Sequence, residues 1–159
     1  MSLGFFKRGL KSGTHASISS ALALAILGKV ENQAYSAPLN AISHWIYGDE
    51  AFKHDHFDLS HTVTGYAIHH ASSIFWAQIY EYLLTRNNQS HSLSHHQYAC
   101  LIAAIAAFVD FNLTPSRLTP GYEHRLSKKA LLLVYASFAF GLSWKKGTQM
   151  PLSSELSLR

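Results

Sequence analysis

The sequence predicts an all-α protein: an integral membrane bundle of about four transmembrane helices with an interfacial segment after the first. Three observations lead there. The 13 Lys/Arg and 9 Asp/Glu residues leave charge-free runs at 12–28, 59–80, 87–109 and 130–144. An amphipathic helix in water renews a charged face every turn or two, whereas these runs fill it with Ala, Ser, Gly, Thr, Tyr and Trp. Finally, basic residues gather at the ends of the runs (Lys7, Arg8 and Lys11, the pair Lys128-Lys129, the pair Lys145-Lys146), where they could snorkel to head groups.

Taken in order, the first span lies near 13–28, and THASISSALALAILG after a basic start also fits the h-region of a secretory signal. Lys29 and Glu31 follow directly, and no small-x-small site ends at Ala34 or Ala37, so the helix is expected to be retained. The segment Lys29 to Leu59 is too polar to span. Its middle, PLNAISHWIY, starts a short helix at Pro38 and lies along the interface or forms a surface loop. The second span, near 62–84, reaches about 35 Å as a helix, enough for a hydrocarbon core of about 30 Å. A third lies near 96–113, apolar until Asp110 near its end, and a fourth runs from 130 to 144 with Ser127 as its cap. Pro115, Pro120 and Gly121 turn the chain between them. Residues 1–147 thus form one domain, and the Ser-rich stretch 148–159 is a mobile polar tail. Seven Lys/Arg inside against six outside orient the bundle N-terminus in by a narrow margin.

Three blocks, NAISHWIYGDE (40–50), HTVTGYAIHHASSIFW (61–76) and DFNLTPSRLTPGYEHRL (110–126), resemble an uncharacterised family of small bacterial inner-membrane proteins. The resemblance covers roughly residues 14 to 144. It implies a multi-pass protein of the bacterial inner (cytoplasmic) membrane and brings no reaction, ligand or catalytic residue.

Composition narrows function mainly by exclusion. With 48% hydrophobic residues, 13% aromatics and one cysteine, the chain is neither disordered nor a disulfide scaffold. Its net charge of +4 is spread along the flanks of apolar runs, which fits lipid rather than nucleic acid. There is no HExxH, CxxC, CxxCH, GxSxG, P-loop or dinucleotide fingerprint.

What remains is polar residues within apolar runs. His69 and His70 are candidate cofactor ligands, with haem or a transition metal as the cofactor; His61, His70 and Glu81 are candidate metal ligands. Competing with this is the plain role of a histidine that bonds helix to helix. His91 to His96 (HSLSHH) looks like one histidine box of a di-iron enzyme but lacks the other two, and His54-x-His56 sits in an Asp-rich loop able to meet a divalent ion. A polar cluster is expected from His44, Asp110, Arg117, Glu123 and His124, with Arg117 as the ion-pair partner of Asp110. Since no catalytic constellation is complete, the leading expectation is a non-enzymatic accessory subunit or self-associating scaffold. Its partners would be membrane lipids, other membrane subunits or a second copy. The alternative is a haem- or metal-binding redox protein using the His61/His69/His70 region.

Overall fold

In a computed structural model, residues 3–87 and 93–144 are described, and all the regular structure among them is helical. Six helices follow one another: α1 (Leu3–Asn32), α2 (Ala37–Ile42), α3 (His44–Tyr47), α4 (Thr64–Asn87), α5 (His95–Asn112) and α6 (Lys128–Ser143). Helix α1 packs along both α4 and α6, α5 closes against α6 and α4, and α2 wedges between α1 and α4.

Local chemistry explains the helix ends. Ser94 and Gln97 form a reciprocal capping box that starts α5. The Ser127 hydroxyl accepts from the Ala130 amide to start α6, and Glu31 accepts from both the Ser127 amide (2.7 Å) and its hydroxyl (2.6 Å), tying the end of α1 to the start of α6. Between α5 and α6, Gly121 adopts φ +88°, and a Cβ there would lie 2.6 Å from the Ala41 carbonyl oxygen. Only glycine meets both demands at low cost, so this turn sits tight against α2.

Small residues make the close helix contacts. A Cβ on Gly141 would stand 2.5 Å from the Ala16 Cα, so α6 and α1 meet almost backbone to backbone. Two apolar clusters fill the interior. One centres on Ala16, Ala77, Tyr80, Ile102, Phe138 and Leu142, the other on Leu24, Ile42, Tyr122, Leu126 and Val134.

The four long helices fall where the charge-free runs predict helices, but the membrane reading is overturned: among the described residues, no helix is long and apolar enough to cross a membrane. The reasons differ from helix to helix. Helix α6 has 16 residues and α5 has 18, about 24 and 27 Å of rise, short of a hydrocarbon core of about 30 Å. Helix α4 is long enough at 24 residues but interleaves its apolar side chains with His69, His70, Ser72, Ser73, Gln78, Glu81 and Arg86. Helix α1, with 30 residues, carries Lys7, Arg8, Lys11, Lys29 and Glu31 as well as five Ser/Thr from Ser12 to Ser20. A transmembrane bundle is therefore not supported, and neither is the multi-pass inner-membrane location. What the charge-free runs supply instead is apolar surface: Ile18, Leu22 and Ile26, four apart on α1, are 46%, 59% and 59% exposed.

The interfacial segment is corrected too. Pro38 does open a helix, but Ala37, Pro38, Asn40, Ala41 and Ile42 are buried between α1 and α4 rather than laid along a surface. The expected tail 148–159, the pair Lys145-Lys146 and His91 of the HSLSHH segment lie outside the described residues.

Candidate functional site

A cavity of about 430 Å³ opens where α1, α4, α5 and α6 meet the Pro120-Gly121-Tyr122 turn. Its walls are mostly apolar, with six aromatic side chains (Trp45, Phe75, Trp76, Tyr122, Tyr135 and Phe138) among aliphatic and small residues, and His69 and Asp110 also reach it. Each is placed by its element. Asp110 sits in the last turn of α5, which ends where the Val109 carbonyl accepts from the amides of Leu113 and Thr114 and from the Thr114 hydroxyl. Tyr135 lies two turns into α6, opposite Asp110, and Tyr122 follows the Gly121 turn. Trp45 on α3 is fixed by its indole N–H, which donates to the Thr119 carbonyl at 2.8 Å.

These groups form a directed chain. The Tyr122 hydroxyl donates to Tyr135 Oη at 3.1 Å, and the Tyr135 hydroxyl donates to Asp110 Oδ2 at 2.6 Å. Burial is the chief influence on Asp110, raising its pKa from 3.8 to about 6; the Tyr135 bond opposes the rise and the nearby Glu123 charge adds to it. Burial raises the pKa of both tyrosines even more strongly, so their protons stay on. His69 is pushed down to about 4, again mainly by burial, and is neutral near pH 7. Its Nε2 lies 2.9 Å from the Ser20 hydroxyl on α1. The cavity therefore presents one carboxylate whose ionisation falls near neutral pH, and among the described residues no Lys or Arg forms an ion pair with it.

The remaining sequence candidates scatter. Arg117 does not reach Asp110; it donates to the Trp45 carbonyl at 3.3 Å. His44 is buried beside Phe52, whose ring also touches His124; burial is the chief cause that lowers its pKa, Arg117 and His124 add to the lowering, and the charges of Glu123 and Asp49 oppose it. Its Nε2 and Glu123 Oε2 are buried without a hydrogen-bond partner among the described residues. His70 stacks on Tyr66 and does not line the cavity, so the two adjacent histidines do not share a site. Glu81 is buried at the far end of α4, accepting from Ser12 (3.0 Å) with Arg8 at 3.5 Å. Eleven residues of helix separate it from His70, about 16 Å along the axis, and His61 lies in the loop before α4, so these three do not form one metal site.

His61 instead meets Asp58 and His54, a grouping that the sequence reading missed although HDHFDLSH contains all three. The partners of Asp110 were missed as well. Their signal was two tyrosines, Tyr122 and Tyr135, on either side of the α6 start, one in a turn and one within an apolar run. Compared with family models, curated proteins and solved structures, the chain matches none, so its functional reading rests on the chemistry of these sites.

Proposed function

We propose that the protein is a non-enzymatic binding protein for a small organic ammonium, an apolar molecule carrying one protonated amine. The observation that carries this reading is Asp110. It is a carboxylate held by Tyr135 at the wall of a largely apolar cavity that also presents six aromatic side chains, with no cation paired to it among the described residues. An ionised carboxylate there is costly unless something positive joins it. Aromatic faces attract organic cations while burying their apolar parts, so walls and carboxylate favour the same ligand. Neutral His69 adds no competing positive charge. Tyr122 and Tyr135 remain protonated and orient the carboxylate, which leaves Asp110 Oδ1 as the acceptor for an incoming N–H.

The test compares 4-phenylbutylamine with the isosteric alcohol 4-phenylbutanol by titration calorimetry at pH 7.5. The amine should bind at least about tenfold more tightly than the alcohol, and Asp110→Asn should erase that preference while leaving alcohol binding in place. Equal affinities in the wild type, or no saturable binding of either compound, would refute the reading.

A further inference from the structure

We infer that His54, Asp58 and His61 form a binding site for a divalent first-row transition ion of the zinc type, separate from the cavity. The sequence spaces the three at i, i+4 and i+7 through the loop that enters α4. Asp58 caps the π-helical turn Leu59–Val63: its Oδ1 accepts from the His61 amide at 2.7 Å, which fixes the carboxylate. Its other oxygen, Oδ2, lies 3.0 Å from His61 Nδ1 and 3.7 Å from His54 Nδ1. An ion with bonds of about 2.0–2.1 Å in tetrahedral array spaces its ligand atoms by about 3.3–3.5 Å, so the two observed separations bracket what zinc requires.

The loop is held rigid by groups that coordination would not use. Asn40, fully buried on α2, donates through Nδ2 to the carbonyls of His54 (2.8 Å) and His56 (2.9 Å). Its Oδ1 accepts from the Thr62 hydroxyl at 2.6 Å, and that hydroxyl accepts from the Asp58 amide at 3.1 Å. Arg125 donates to the Phe52 carbonyl and pairs with Asp55, pinning the start of the same loop. Such outer supports keep ligands in place before an ion arrives.

The two imidazoles stack, with centroids 3.7 Å apart and planes 18° apart. Binding needs one ring to tilt so that both Nδ1 lone pairs converge. His54 can do this, because its side chain is 44% exposed against 13% for His61. Two imidazole nitrogens and one carboxylate oxygen suit zinc or its neighbours rather than Mg²⁺ or Ca²⁺, which demand mostly oxygen. Three protein ligands leave a position for water or another small ligand.

The experiment is calorimetric titration of the chelator-stripped full chain with Zn²⁺, with Co²⁺ absorption as a second readout of imidazole ligation. One Zn²⁺ should bind per chain, and Ca²⁺ should not displace it. His61→Gln and Asp58→Asn should each weaken binding more than about 100-fold, beyond the usual effect of an outer support, whereas His95→Gln should leave it unchanged. Asn at position 58 keeps the helix cap, so circular dichroism can establish that this variant is folded. Absence of a saturable one-to-one site, or wild-type affinity in both ligand variants, would overturn the inference. Neither result bears on amine binding in the cavity.

Discussion

Removing the charge of Asp110 should stabilise the fold at neutral pH and not in acid. In the unfolded chain the carboxyl titrates near 3.8, and in the folded protein near 6. Between those values the folded state holds a proton that the unfolded state has lost, so stability falls as pH rises through this window and stays low above it. At 1.36 kcal/mol per pH unit the full cost is ~3 kcal/mol, an upper figure because the side chain borders an open cavity. Asp110→Asn abolishes this ionisation yet keeps an acceptor for the Tyr135 hydroxyl. In a domain of this size ~3 kcal/mol amounts to roughly 6–12 °C in Tm. Thermal melts of both proteins at pH 4 and pH 7.5 supply the assay: the variant should lie within about 2 °C of wild type at pH 4, where linkage leaves only ~0.5 kcal/mol, and melt several degrees higher at pH 7.5. A variant less stable than wild type at pH 7.5, or an equal gap at both pH values, would refute the reasoning. A group that lowers stability when charged, in a cavity, is where a ligand of opposite charge is expected to act.

Asn40→Ala should cost about 2–4 kcal/mol in urea unfolding, because it removes the donor to the carbonyls of His54 and His56 and the buried acceptor of the Thr62 hydroxyl proton, and it should also weaken Zn²⁺ binding by about 10–100-fold. Gly141→Ala should destabilise by about 1–3 kcal/mol in the same assay, since its methyl group meets the backbone of Ala16 and His15 and the two helices must part to admit it. An unchanged midpoint in Gly141→Ala would mean that α1 and α6 are not in close contact.

The sequence by itself determined that the chain is helical and roughly where the long helices run, because charge-free stretches, capping serines and turn prolines are local signals. It also pointed to Ser127 as a cap and to Pro120-Gly121 as a turn, whose geometry depends on near neighbours. It could not determine what lies opposite the apolar faces. Ile18, Leu22 and Ile26 would read alike facing lipid, a partner or solvent, and it took the length and polarity of the folded helices to remove the membrane-spanning reading. Nor could spacing choose partners across the fold. Arg117, seven residues from Asp110, looked like its counterion, yet the side chain that bonds it is the neutral Tyr135, 25 residues away, and His61 pairs with Asp58 in its own loop rather than with His70 or Glu81. The tertiary structure decided these matters because desolvation and hydrogen bonding act over a few ångströms of space. Which groups share those few ångströms depends on how α1, α4, α5 and α6 pack together.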